Sequence, residues 1–221
     1  MVRAALFATV LGVFALSCAA PRAPCTTPGV CASGEECLAN RCVPLGSEPV
    51  ALDSRRWVLM PRAIAVVSAR GPASGDALPN AVTFGSETEG ASALFLEFEI
   101  ASRSIARLDS AFVVLEPLPM SAAESAQIEV DAWRIAERWN TQSVSWLGQP
   151  ALAPPHARGI AQSSSLAVLR IDVSDIIRFW LRQPLQNRGL ALKAAGGDGP
   201  GISFATGASD GSAPRLELYF R

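Results

Sequence analysis

Histidine, lysine and charged residues in general are scarce in this chain. Its 221 residues include one histidine, His156, and one lysine, Lys193. A metal site built from several histidines is therefore excluded within one chain. Charged residues make up 18% of the sequence, below the typical share of about a quarter, and 19 bases stand against 20 acids. Because no stretch is strongly basic, the composition argues against a nucleic-acid ligand.

The motifs of the common enzyme classes are missing as well. The sequence has no HExxH, P-loop or Rossmann fingerprint. Gly207-Ala-Ser-Asp-Gly211 fits the G-x-S-x-G pattern of a nucleophile elbow, but a strand pattern follows it where an elbow needs a helix. His156 lies in Ala153–Arg158, which has the composition of a surface loop. Paired acids such as Glu129 and Asp131 are expected on a solvated sheet face. We expect no catalytic residues.

A long apolar run occurs at the N-terminus. Arg3 precedes the run from Ala4 to Leu16, which is too short to cross a bilayer and is typical of a signal peptide. Phe14-Ala-Leu-Ser-Cys18 resembles a bacterial lipobox, and this resemblance implies removal of residues 1–17 and lipidation of Cys18. The protein is then expected to be anchored in the cell envelope, at the outer membrane because no Asp follows Cys18. Ordinary secretory cleavage nearby is the alternative.

Four more cysteines lie within eighteen residues, which are Cys25, Cys31, Cys37 and Cys42. In an exported protein this density predicts two disulfides, and the spacing leaves three pairings open. Zinc is the rival explanation, but zinc ligands usually pair as C-x2–4-C, whereas these gaps are five, five and four residues. The string looks like the short cysteine-rich modules that follow lipoboxes in predatory soil bacteria. Likeness to small disulfide knots implies the crossed pairs Cys25–Cys37 and Cys31–Cys42.

Proline-rich segments divide the chain into parts. Residues 18–24 form a tether between the lipid and the cysteine-rich module, which spans residues 25–43. A second linker covers residues 44–54. The main domain is therefore expected to span residues 55–221.

The main domain has the two-residue hydrophobic period of β-strands. Strands are predicted at 63–67, 94–100, 108–115, 127–133, 166–173, 189–193 and 214–220. Residues 174–182 instead have helical spacing and predict one amphipathic helix over a sheet, capped by Ser174 or Asp172. Many short strands with a single helix predict an all-β sandwich. We expect its core to have three tryptophans at its corners, namely Trp139, Trp146 and Trp180.

Four segments of the second half occur in the order found in a known family. They are Trp139-Asn-Thr-Gln-Ser-Val-Ser-Trp146 with Pro150, Ile171-Asp-Val-Ser174 with Trp180, Asn187-Arg-Gly-Leu-Ala-Leu192, and Pro214-Arg-Leu-Glu-Leu-Tyr219. Together they resemble the DNRLRE-type domain over roughly residues 55–221. The resemblance implies a jelly-roll-like β-sandwich related to carbohydrate-binding modules. It therefore implies polysaccharide as a ligand class.

Sugar binding requires an exposed aromatic ring for stacking, and the sequence offers Trp57, Phe95 and Tyr219 as candidates on outward faces. No cofactor is expected, although a structural Ca²⁺ near Asp76 or Asp198 is conceivable. The sequence thus predicts a lipid-anchored, non-catalytic envelope protein that binds polysaccharide or serves as a structural surface module. The alternatives are a secreted polysaccharide lyase or hydrolase, and a protein-interaction or assembly module of the outer membrane.

Overall fold

The computed structural model describes residues 31–38, 41–44, 55–70, 78–86, 91–100, 108–119, 127–162, 167–195, 200–207 and 212–220. The predicted signal peptide, the lipidation residue Cys18 and the first module cysteine, Cys25, lie outside these ranges. So do Asp76, Asp198 and the serine of the G-x-S-x-G match, Ser209.

Two antiparallel sheets form the body of the main domain. The four-stranded sheet contains β3 (Arg55–Leu59), β7 (Leu108–Leu115), β10 (Leu169–Asp172) and β13 (Arg215–Phe220). The five-stranded sheet contains β4 (Ala63–Ser68), β6 (Ser92–Glu97), β8 (Gln127–Ile135), β9 (Leu152–Gln162) and β11 (Leu190–Ala194). A short third sheet pairs β5 (Ala81–Ser86) with β12 (Pro200–Ala205), and the cysteine-rich module contains a hairpin of β1 (Glu35–Leu38) and β2 (Arg41–Pro44).

The strand order is that of a jelly roll. The four-stranded sheet runs β3-β13-β7-β10, and the other runs β4-β6-β11-β8-β9. Eight strands of the main domain remain when β4, β5 and β12 are set aside. If these eight are renumbered 1 to 8 in chain order, the two sheets have the orders 1-8-3-6 and 2-7-4-5. These are the orders of the two interlocked Greek keys of a jelly roll. The predicted all-β, jelly-roll-like sandwich is confirmed. β4 extends one sheet at its edge.

Alternation along the strands builds the core between the two sheets. Leu94 and Leu96 of β6 belong to the core with Phe98, which directly follows the strand, and all three are almost completely buried. Phe95 points to the other side of the sheet, as the two-residue period predicts. The inner face of the opposite sheet contributes equivalent apolar side chains, including Val113 of β7.

The predicted helix is present as α1 (Ser174–Arg182), and its Ile176, Ile177 and Trp180 are buried. Neither Ser174 nor Asp172, the two residues predicted to cap the helix, occupies the N-cap position. Val173 is the N-cap residue, and the Asp172 carboxylate accepts the Ser174 backbone N–H at 3.0 Å. The Ser174 hydroxyl accepts the Ala111 N–H of β7 at 2.9 Å, so it joins the helix to the four-stranded sheet.

Two expectations about the main domain are wrong. Ala153–Arg158 is not a loop, because it lies inside β9, which forms an edge of its sheet. An edge strand tolerates Pro154 and Pro155, since proline there need not donate to a neighbouring strand. The three tryptophans also do not share one core. Trp180 lies between the sheets, whereas Trp139 and Trp146 pack on the outer side of the five-stranded sheet.

The cysteine-rich module contains a disulfide between Cys31 and Cys42, which is one of the two crossed bridges implied by likeness to disulfide knots. Cys37 and Cys42 are partners in the β1–β2 pair. The Cys25–Cys37 bridge stays a prediction, because Cys25 lies outside the described residues.

Candidate functional site

Of the three aromatic residues proposed from the sequence, Phe95 and Tyr219 are buried and Trp57 is half-buried. Trp57 points toward the core, where its ring meets Phe220 edge-on at 4.4 Å between centroids. Phe95 does lie on an outward face, but it is 0% exposed and Trp139 packs against it. Tyr219 is 4% exposed. A buried ring has no face on which a sugar can stack.

Tyr219 instead belongs to a buried polar cluster on the four-stranded sheet. Its hydroxyl donates to Glu217 at 3.0 Å, and the same carboxylate accepts from Arg56 at 2.6 Å and Arg215 at 3.0 Å. Burial alone would raise the pKa of Glu217, but these three hydrogen bonds hold it below its ordinary value. Burial and the negative charge of Glu217 raise the pKa of Tyr219 to about 12. This cluster joins β3 to β13 and is structural.

An accessible aromatic pair lies on the outer face of the five-stranded sheet. Trp133 of β8 and His156 of β9 are directly opposite each other in the antiparallel register. Their rings are stacked, with centroids 4.1 Å apart and planes 11° from parallel. Trp133 is half-buried and His156 is exposed. Because β9 is the edge strand, the pair lies at the border of the sheet.

Charged groups flank this pair along the same two strands. Arg158 of β9 donates to both carboxylate oxygens of Asp131, at 2.6 and 3.1 Å, and to Glu129 at 2.6 Å. The hydrogen bond to Asp131 is the main cause of the raised pKa of Arg158. One guanidinium therefore fixes two carboxylates, and each carboxylate keeps acceptor capacity for a ligand hydroxyl.

Lys193 of β11 completes the charged border. It lies directly opposite Asp131 in the β8–β11 pair, and burial lowers its pKa. Within the part of the chain that the structure describes, no carboxylate forms an ion pair with it. We call the set of Trp133, His156, Asp131, Arg158 and Lys193 the β8–β9 face, together with Glu129 beside Arg158.

The remainder of this sheet face is covered by the segment between β8 and β9. Trp139, Val144 and Trp146 of this segment pack on Phe95 and its neighbours. The Trp139 indole N–H donates to the Arg188 carbonyl oxygen at 2.7 Å, which fastens the segment to the chain just before β11. At the border near β8 and β9, His156 and Arg158 are exposed and lie outside this cluster.

The sequence contained a signal for Trp133 but a misleading one for His156. The alternation that places Glu129 and Asp131 outward in β8 continues to Trp133, two residues further. The neighbouring prolines favour a loop for His156, so its position opposite Trp133 is not evident from the sequence. Its presence in a strand requires the pairing of β9 with β8.

The described ranges contain no group of three or more His, Cys, Asp or Glu side chains that could hold a metal ion. The possible Ca²⁺ near Asp76 or Asp198 lies outside them. The described residues also contain no helix long and apolar enough to cross a membrane.

Comparison of the chain with known proteins finds no matching family model and no similar curated protein. The resemblance to DNRLRE-type domains therefore depends on the four sequence segments quoted above.

Proposed function

We propose that this protein is a lipid-anchored, non-catalytic protein of the cell envelope that binds polysaccharide through the β8–β9 face. The stacked Trp133–His156 pair is the main observation that supports this proposal. A pyranose ring presents C–H groups on one side, and these pack on an aromatic surface. The hydroxyl groups around the ring need donors and acceptors at the rim of that surface, which Arg158 and Asp131 supply.

The placement of the site on strands supports binding. Trp133 and His156 extend from paired backbones, and Arg158 is held in place by two carboxylates. Such a surface needs little ordering when a ligand arrives, so less binding free energy is lost to entropy. An extended polysaccharide can run along β8 and β9, because the face is at the edge of the sheet.

The same geometry makes a hydrolase or lyase the weaker candidate. A glycosidase uses two carboxyl groups with different roles, one of which must be protonated. Here Glu129 and Asp131 both accept hydrogen bonds from the same guanidinium, that of Arg158, so their surroundings do not divide them into an acid and a base. We propose that these acids orient Arg158 and bind hydroxyl groups.

The envelope location is proposed from the lipobox and the cysteine-rich module. An acyl chain on Cys18 would hold the protein at the membrane, and the proline-rich residues 18–24 would separate the module from the lipid. The Cys31–Cys42 disulfide is in accord with an oxidising compartment. The sandwich would then reach polysaccharide at the cell surface.

A glycan array tests the proposal. The chain without its signal and with Cys18→Ser is applied to neutral and acidic glycans, beside the variants Trp133→Ala and Trp133→Phe. We expect binding to at least one glycan class, loss of it in Trp133→Ala, and retention in Trp133→Phe, which keeps an aromatic ring. Silence on all glycans, or equal binding by the alanine variant, would contradict the proposal.

A further inference from the structure

Two leucines are almost fully exposed at one end of the five-stranded sheet. Leu147 is 97% exposed and Leu185 is 83% exposed, whereas the other exposed large apolar side chains in the described ranges are 38% to 51% exposed. Single exposed leucines are common and need no explanation. Two at the same end of a domain form a surface that needs an explanation.

The strand register places both leucines at this end. β8 ends at Ile135, β9 begins at Leu152 as its partner, and β11 begins beside the end of β8. Leu147 lies in the connection from β8 to β9, and Leu185 lies in the connection from α1 to β11. The Trp139–Arg188 hydrogen bond joins these two connections directly.

Both leucines are held by local hydrogen bonds. Beside Leu147, the Gly148 N–H donates to the Ser145 hydroxyl at 3.0 Å, and the Gln149 amide donates to the Trp146 carbonyl oxygen at 3.0 Å. Leu185 is inside a 3-10 turn, Pro184–Gln186. The leucines are therefore presented on folded loops that have internal hydrogen bonds.

The two connections and the end of α1 contain three arginines, Arg138, Arg182 and Arg188, against one acid, Glu137, whose carboxylate accepts the Ala151 N–H. No acid occurs from residue 138 to 171 or from residue 176 to 197. Arginines do occur there, and Arg138 and Arg182 are exposed while Arg188 is half-buried. Apolar tips on segments with more arginine than acid complement a surface of phosphate groups over hydrocarbon. A flat protein interface would need a wide apolar patch, which two protruding tips do not provide.

From this arrangement we infer that the end of the sandwich bearing Leu147 and Leu185 docks onto a membrane that contains anionic lipid. The two leucines enter the headgroup region, and Arg138, Arg182 and Arg188 contact lipid phosphates. We call these five residues the leucine surface. The inference does not depend on the glycan site. It also does not require the acyl group, which would only keep the surface close to the membrane.

Vesicle flotation of the chain without its signal and with Cys18→Ser tests the leucine surface, because this protein has no acyl group. Vesicles consist of phosphatidylcholine alone or of equal parts phosphatidylcholine and phosphatidylglycerol. We expect binding to the anionic vesicles, weakened roughly tenfold for each leucine in Leu147→Ser and Leu185→Ser. Arg182→Gln should weaken it about fivefold. Leu78→Ser, at an exposed leucine outside both connections, is the matched control and should bind as the parent does.

Three results would overturn the inference. They are absence of binding to anionic vesicles, unchanged binding of the Leu147→Ser/Leu185→Ser double variant, and self-association of the parent protein through these leucines in place of vesicle binding. Circular dichroism of each variant shows whether its fold is kept. An array result for the glycan site leaves these outcomes unaffected, so the two proposals fail separately.

Discussion

Asp131 lies directly opposite Lys193 across β8 and β11, yet its carboxylate binds Arg158 on the other side, at 2.6 and 3.1 Å. Opposite charges that face each other across a sheet usually attract. Here the bidentate guanidinium holds the acid, and the pKa of Lys193 is lowered by burial alone. The β8–β9 face thus has a fixed ion pair beside a half-buried ammonium group.

This arrangement predicts that Arg158→Gln raises the pKa of Lys193, because Asp131 becomes free to pair with it. Lys193 is the only lysine, so reductive methylation with ¹³C followed by NMR titration reports its side chain with a single additional signal from the amino terminus. The double variant Arg158→Gln/Asp131→Asn is the control, since it lacks both the arginine and the acid. If the single and double variants give the same Lys193 pKa, Asp131 is not the group released.

Tyr219 is predicted to ionise near pH 12 in the folded protein. It is the only tyrosine, so near-ultraviolet absorbance follows its ionisation without interference from another tyrosine. In the folded state its pKa is raised from 10.0 to about 12. Its contribution to the free energy of unfolding is therefore complete below pH 10 and is lost as pH rises from 10 toward 12. In Glu217→Gln the negative charge beside the phenol is gone, and we expect a lower Tyr219 pKa. An unchanged value would contradict the assigned cause.

Gly189 is predicted to resist substitution. Its φ is +94°, and a Cβ there would collide with the carbonyl oxygen of Leu96 in β6. Gly189→Ala should lower the free energy of unfolding by at least about 2 kcal/mol, because both backbone strain and a backbone collision oppose it. Gly148→Ala is the matched control, since the nearest atom to its Cβ is the Ser145 hydroxyl of an exposed loop. Urea unfolding measures the free energy of unfolding of both variants. Equal losses in the two would contradict a special constraint on the backbone at Gly189.

The lipid anchor is tested by labelling with a clickable fatty acid in the host cell. Cys18→Ala should abolish labelling, whereas Cys25→Ala should keep it, because only Cys18 follows the lipobox sequence. Labelling is the deciding measurement, since the leucine surface alone could hold part of the protein at membranes. A labelled Cys18→Ala protein would refute the anchor.

Much of the fold could be predicted where a local period was strong. The bounds of β7 and α1 agree with the sequence prediction, because their apolar spacing is regular and Pro117 and Pro184 stop each segment soon after its end. β5 and β12 were not predicted. Both contain glycine, and each pairs with the other across more than a hundred residues. The local sequence does not indicate such a distant pairing partner.

The candidate site was less predictable for the same reason. Alternation correctly puts Phe95 and Tyr219 on outward faces, but it cannot tell whether something packs on those faces. Trp139 covers Phe95 from a segment more than forty residues away. For His156 the missing information is the strand pairing, because only pairing with β8 shows that this proline-flanked residue lies in a strand beside Trp133.

NMR of the His156 imidazole tests the central proposal most directly. His156 is the only histidine, so its ring signals are assigned without variants. When a polysaccharide selected by the array is added to the Cys18→Ser chain, we expect these signals to shift in a saturable manner, and Trp133→Ala to weaken the affinity at least about tenfold. Saturable binding that leaves the His156 signals unmoved would place the ligand elsewhere and contradict the proposed site.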